Sequence, residues 1–459
     1  MERIGPPPRI REVSLPVYGG SFDASHAERL LWRAGFGPRP GEAEALAKLG
    51  LAGAVHQLVN PGGEKLVGPK PHDDKGHPLA PYDAWGDDHC WWLDRMVRTS
   101  RPLVERMTLV WHDWFATSNE CVGNQKLMLQ QNQLFRSHFL APFDELLLKV
   151  TANPAMLLWL NGTENVKEAP NENYGREMME LFTLGADRGA YTEEDVRQNA
   201  RSLTGWQNRW GQSRGAYDFH FDPKEHDTGI KTVFHKQGAF DWKSSCRLCV
   251  GNPKHASFFV NKLWSYFIPT PPDKQTAAAL EATYKQGYQI RPVVSAILQH
   301  PDLYEGQRMV KPPVVHVAGL LRRIGEGINT TAWAWIGQIS GQQLFYPPNV
   351  AGWDDTRWLD TATFRGRWEG VQQVLQNYTV NAPKKLPTTT PPTAPQLLDS
   401  ALAFWNKPQL SPGTTYQLNR FATLALRDGK ADWEQHAYPF LVENALRQLI
   451  GVSPDMQTS

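Results

Sequence analysis

The sequence predicts a mainly α-helical protein: a multi-helix orthogonal assembly with long loops and at most a short β-hairpin. Three observations predict it. Apolar side chains recur at three- and four-residue steps through most of the chain, as in Val104, Met107, Trp111 and Phe115. Proline repeatedly opens these segments and glycine follows their ends, the asymmetry of helix termini. Only one run, residues 217–221, alternates in the manner of a strand.

Taken in order, residues 25–33 form a helix that stops at Gly35-Phe36-Gly37. Pro40 opens a second at 42–48, and Gly50 precedes a third at 51–58. Residues 60–86, rich in Gly, Pro, His and Asp, lack periodicity and read as a long loop. Helical spacing returns at 88–117, 124–139, 143–150 and 154–160. A polar loop at 161–170 leads into a helix at 171–184, which ends at Gly185. Thr192 and Asp195 then make a capping box for a helix reaching Leu203. Further helices are expected at 244–267, 274–285, 292–299 and 312–324, and a Pro-Gly-Trp loop at 342–368 leads into another. Residues 383–395, rich in Pro and Thr, read as a stiff linker. Helices at 396–405 and 437–449 follow it. The expected organisation is therefore a helical body at 21–382, the linker, and a C-terminal helical extension at 396–459 packed on the body.

Composition narrows the function classes. A chain of 459 residues with 41% hydrophobic and 21% charged residues is an ordinary globular protein. Its 48 basic and 47 acidic residues leave a net charge of +1, which argues against nucleic acid as a partner. No stretch has the ~20 apolar residues of a membrane span. Residues 1–20 have no apolar signal core, so the sequence as it stands reads as cytoplasmic. The four cysteines are too few for a disulfide scaffold, and no cofactor is implied. There are 18 tryptophans, many of them beside polar motifs, so they are either core plugs or walls of a ligand cleft.

Several segments resemble the bacterial domain of unknown function 1800 family. They begin with His26-Ala-Glu-Arg-Leu-Leu-Trp-Arg-Ala-Gly-Phe-Gly37. The longest is Pro170-Asn-Glu-Asn-Tyr-Gly-Arg-Glu-Met-Met-Glu-Leu-Phe-Thr-Leu-Gly185, continued by Tyr191-Thr-Glu-Glu-Asp-Val196 and Ala200-Arg-Ser-Leu-Thr-Gly-Trp206. His226-Asp-Thr-Gly-Ile-Lys231 and Pro347-Pro-Asn-Val-Ala-Gly-Trp353 complete the set. The resemblance implies a mainly helical bacterial protein and supplies no mechanism. Members are often exported, which leaves an exported location open.

Five constellations carry the candidate chemistry. On the 171–184 helix, Glu172, Arg176 and Glu180 share one face and Asn173 and Glu177 an adjacent one, while Tyr174, Met178 and Leu181 face the core. Two nearby carboxylates can divide acid and base roles, or they can be a solvated, ion-paired surface. His112 is a candidate base, or a core-edge histidine donating to a carbonyl; Asp113 beside it is expected to be solvated. His226 and Asp227 are site candidates in a loop, with an Asx-turn onto Gly229 as the structural alternative. Cys246 and Cys249 could be redox-active, half of a metal site, or two small apolar residues at a helix start. Asn349 and Trp353 suit a planar or sugar-like ligand, or form a tight loop whose Trp plugs the core.

Two functions follow. As an enzyme, a hydrolase or lyase, the protein would use Glu177, Glu180, His112 and His226 for acid–base chemistry on a polar, glycan-like or small ligand. Asn171, Asn173, Arg176, Asp195, Arg201, Asp227, Asn349 and Trp353 would bind that substrate. As a non-catalytic binding or assembly module, the same polar residues would form a structural hydrogen-bond network.

Overall fold

The computed structural model describes residues 15–382, 390–429 and 431–459. The fold is mainly α-helical, as expected, with two small two-stranded antiparallel sheets. Trp206–Gly211 pairs with Gly215–Phe221, so the expected strand has a partner, and Lys231–Val233 pairs with Lys236–Gly238. Among the described residues no helix is long and apolar enough to cross a membrane.

Local sequence explains where the helices differ from expectation. The periodic stretch 88–117 is two helices, Asp87–Arg98 and Pro102–Trp114, because Pro102 cannot continue the preceding turn and instead starts a new one. Residues 244–267 divide in the same way into Trp242–Val250 and His255–Ser265, around Gly251 and Pro253. Thr192 and Asp195 form the predicted capping box of Glu193–Ser202. Within 342–368 the loop is shorter than expected, since a helix already begins at Thr361. Among the described residues two helices of eight or more residues went unread, Ala332–Ile339 and Pro412–Arg427, along with the short helices Asn119–Val122, Pro301–Glu305 and Pro454–Gln457. The first half of the expected linker, residues 383–389, lies outside the described residues, and a helix takes over at Ala394.

The most specific stretch of sequence breaks regular geometry. Asn173–Glu177 is α-helical, but Met178–Thr183 is a π-helix rather than a continuation. Thr183 Oγ1 donates to Met178 O at 2.6 Å inside this wide turn. Side chains from other elements meet the last carbonyls of the segment. Lys262 Nζ donates to Leu181 O at 3.0 Å, Trp114 Nε1 to Phe182 O at 3.0 Å, His255 Nδ1 to Thr183 O at 2.7 Å and Arg188 Nη1 to Leu184 O at 2.7 Å. A helix end leaves such carbonyls without intrahelical partners. π turns are uncommon and cluster near functional sites.

Two apolar cores share the interior. One gathers Trp111, Trp114, Phe115, Phe143, Met178 and Phe259; the other gathers Trp92, Leu320, Trp333, Val371, Trp405 and Leu446. The C-terminal helices bury Leu397, Leu418 and Ile450 in the second core together with Trp32 and Phe36 from the chain's start. Pro102–Trp114 lies between the cores, with Met107, Val110 and Trp111 in the first and Leu109 in the second. Polar residues of that helix therefore sit at the seam.

Candidate active site

The polar residues of the long motif are largely tied to one another or to backbone. Arg176 pairs with Glu172 at 3.0 Å and with Glu193 at 2.7 Å. Asn171 accepts from Asn173 N and Asn173 Nδ2 donates to Asn161 Oδ1, both fixing the helix start. Asp195 accepts from Thr192 and, through its other oxygen, from Phe234 N at 2.7 Å. Glu177 is half-buried, and burial together with the Glu180 charge raises its carboxyl pKa. No side-chain hydrogen bond or ion pair among the described residues engages Glu177 or Glu180.

The His226-Asp227 loop has a similar character. Arg201 grips Asp227 through Nε at 2.6 Å and Nη2 at 3.2 Å, and Gly229 N donates to Asp227 Oδ1 at 2.8 Å, closing an Asx-turn. Burial works to raise the Asp227 pKa, but the bonds from Arg201 and Gly229 outweigh it and hold the carboxyl below its usual range. His226 Nδ1 lies 2.9 Å from Thr204 O, a contact that places the proton on Nδ1 because a carbonyl can only accept.

His112 lies apart from both groups. It is 1% exposed and enclosed by Trp92, Phe135, Phe345 and Trp353 at ring distances of 5.4–6.4 Å. Burial lowers its pKa to about 3, so the ring is neutral at ordinary pH. Cys246 and Cys249 are buried within the Trp242–Val250 helix, and burial raises the Cys246 thiol to about 12 and Cys249 higher. Cys246 Sγ is 3.3 Å from Thr151 Oγ1. Among the described residues no group of three or more His, Cys, Asp or Glu side chains could hold a metal ion. Asn349 is exposed and accepts from Ala351 N at 2.8 Å, turning its own loop.

Asp113 corrects the expectation of a solvated carboxylate. Tyr266 Oη donates to its Oδ2 at 2.6 Å and Trp353 N to its Oδ1 at 2.9 Å. Burial raises its pKa despite both bonds. The chain can reach this carboxylate because Gly352 adopts φ +93°; a Cβ there would overlap Asp113 Oδ1.

Asp113 lines a cavity of about 180 Å³ together with Arg106, Lys262, Tyr266, Trp353, Asp355 and Trp358. Arg106 and Asp113 are seven residues apart on one helix, and Lys262 is four residues before Tyr266, which caps the end of its helix in helical geometry, so each pair shares a face. Burial lowers the Lys262 pKa to about 8, and the ammonium lies 4.6 Å from the Trp114 ring centroid. Arg106 is 3% exposed, its Nη2 donates to Tyr266 O at 3.2 Å, and its buried Nε has no partner. A buried guanidinium with so little compensation is costly in the absence of a ligand.

Trp353 and Trp358 also wall a second, more open cavity of about 540 Å³. Its other surfaces include Trp85, Glu120, Gln338, Gln343, Tyr346 and Arg357. The indole N–H groups of Trp353 and Trp358 are buried and unpartnered. Sequence reasoning reached Trp353 but missed Asp113, Arg106, Lys262 and Tyr266. The available signal was the equal-face spacing of the two pairs.

The chain matches a family model described as a protein of unknown function (DUF1800) over residues 29–458. It belongs to the DUF1800 family. No curated protein and no solved structure gives a significant match.

Proposed function

We propose that this DUF1800 protein is an acid–base enzyme acting on an acidic, glycan-like substrate. The observation that carries the reading is the cavity beneath Trp353, where the Asp113–Tyr266 pair, the Lys262 amine and the Arg106 guanidinium converge. Perturbed titratable groups in a cleft are the usual mark of such a site. The open cavity beyond Trp353 and Trp358 supplies aromatic faces and amides suited to sugar rings.

An elimination fits these groups best. Arg106 binds the substrate carboxylate and stabilises the charge that develops there when the neighbouring C–H proton leaves. Lys262, with its pKa near 8, is neutral in about a tenth of molecules near pH 7 and takes that proton onto Nζ. Tyr266 turns its phenolic proton from Asp113 Oδ2 to the departing oxygen and gives it up as the C–O bond breaks and the double bond forms. Solvent then restores the phenol and deprotonates Lys262. Asp113 is a positioning residue that holds the Tyr266 hydroxyl.

The test is a panel of uronate-containing polysaccharides incubated with the purified protein, read by ultraviolet absorbance of the unsaturated product. At least one substrate should yield product. Lys262→Met and Tyr266→Phe should each lower kcat by about a hundred-fold or more, and Arg106→Met should both lower kcat and raise KM. No product across the panel, or full activity in both variants, would overturn the reading.

A different observation favours a second role for the long motif. Asn171, Asn173, Arg176, Asp195, Arg201 and Asp227 are occupied by partners within the fold. We read them as the network that fixes the π segment and its carbonyls, one of which holds Lys262.

A further inference from the structure

On the other side of the segment Arg308–Pro312, away from the candidate active site, lies a third cavity, of about 240 Å³. Met309 and Pro312 face the candidate active site, whereas Arg308 and Lys311 face this one. Three guanidinium groups, Arg29, Arg308 and Arg323, line it with the Lys311 amine, whose pKa burial pushes well below its ordinary value, against two side-chain carboxylates, Glu28 and Asp455. This density of positive charge is a product of folding, because the whole chain carries a net charge of only +1.

Both carboxylates are already used. Glu28 pairs with Arg323, and Asp455 with Arg308 at 2.8 Å. The other two basic groups, Arg29 and Lys311, have no side-chain carboxylate partner among the described residues. Arg29 donates only to the carbonyls of Tyr304, Gly306 and Gln307, at 2.7–3.1 Å. Lys311 is 3% exposed; its Nζ donates to Met456 O at 2.8 Å and stands 3.7 Å from the Trp32 ring centroid. Arg323 is equally buried, and its Nε has no partner. Carbonyls and an aromatic face orient these basic groups but do not compensate a positive charge, which is unfavourable away from water and disfavours the charged form of Lys311.

We infer that this cavity binds a small multivalent oxyanion of the phosphate type, either free phosphate or the phosphoryl group of an organic phosphomonoester. Guanidinium groups and a lysine amine converging from three segments, the Ala24–Arg33 helix, Arg308–Lys311 and the Pro313–Ile324 helix, are the chemistry that recognises such a group. The site is separate from the proposed catalytic cavity, and neither reading depends on the other.

Titration calorimetry of the full chain tests it, with inorganic phosphate and glycerol 3-phosphate as probes. Saturable binding of at least one probe is expected. Arg308→Gln, a half-exposed position, and Arg29→Gln should each weaken it about ten-fold or more. Arg106→Met, which alters the other cavity, should leave it unchanged. Tighter binding of the ester assigns an organic ligand, and equal or weaker binding assigns free phosphate; both support the site. Absence of saturable binding for both probes, or equal weakening by Arg106→Met, would overturn it. Circular dichroism of each variant separates lost binding from lost fold. If Arg29→Gln is unfolded, Arg308→Gln alone decides.

Discussion

Replacing Lys262 by methionine should stabilise this protein at neutral pH. The side chain reaches from the His255–Ser265 helix to the π-segment carbonyl of Leu181 and the face of Trp114, and its pKa falls from 10.5 to about 8 through burial. That difference corresponds to about 3 kcal/mol of cost for keeping the charge in the folded state. The sign follows from proton counting. Between 8 and 10.5 the folded chain binds fewer protons at this site than the unfolded chain, so its stability rises with pH across that window. Below it both states are charged and the full cost is present. Lys262→Met removes the cost and also one hydrogen bond worth about 1 kcal/mol, leaving a net gain of about 2 kcal/mol near pH 7. Near about pH 9.5 the native amine has shed most of its charge, and the gap between the two proteins should shrink toward zero. Urea unfolding of both proteins at the two pH values measures this double difference and cancels the other groups that titrate in the same range. If the variant is no more stable near pH 7 and the gap does not change with pH, the desolvated-lysine reasoning is refuted, and with it the case for Lys262 as a base.

Two further outcomes are expected. His112→Phe should reduce acid sensitivity: the buried ring, held near 3 against 6.5 when exposed, contributes stability that is complete above 6.5 and lost as pH falls. Urea titrations should show the loss between pH 7 and about pH 4.5 to be smaller by about 2–3 kcal/mol in the variant. Gly352→Ala should destabilise by about 2–3 kcal/mol, because alanine at φ +93° is strained and its methyl group displaces Asp113 Oδ1. Thermal unfolding reads that cost, and a melting temperature equal to the parent's would contradict the close approach.

Helix content was legible because it is local. Thr192 and Asp195 cap a helix whatever surrounds them, and Tyr174 and Met178 fall on the buried face that their spacing required. Pro102 and Pro253 were equally local signals, and they outweigh the apolar periodicity that had joined the helices on either side. The site was less legible. Arg176, Arg201 and Asp227 stand out in sequence, yet their partners are mostly polar groups that complete the fold. Asp113 read as a surface residue because its helix position lies off the apolar stripe. It is half-buried because the loop at Gly352 and the hydroxyl of Tyr266 close over it.

By itself, then, the sequence determined the helical class, the caps, the main breaks and the family motifs, all of which depend on neighbours within a few residues. Only the tertiary structure decided which charges lose their water. Arg106, Lys262 and Tyr266 come from two helices about 150 residues apart, and Arg29, Lys311 and Asp455 meet from opposite ends of the chain. Burial and proximity across such separations set the protonation of these groups, and no local pattern encodes them.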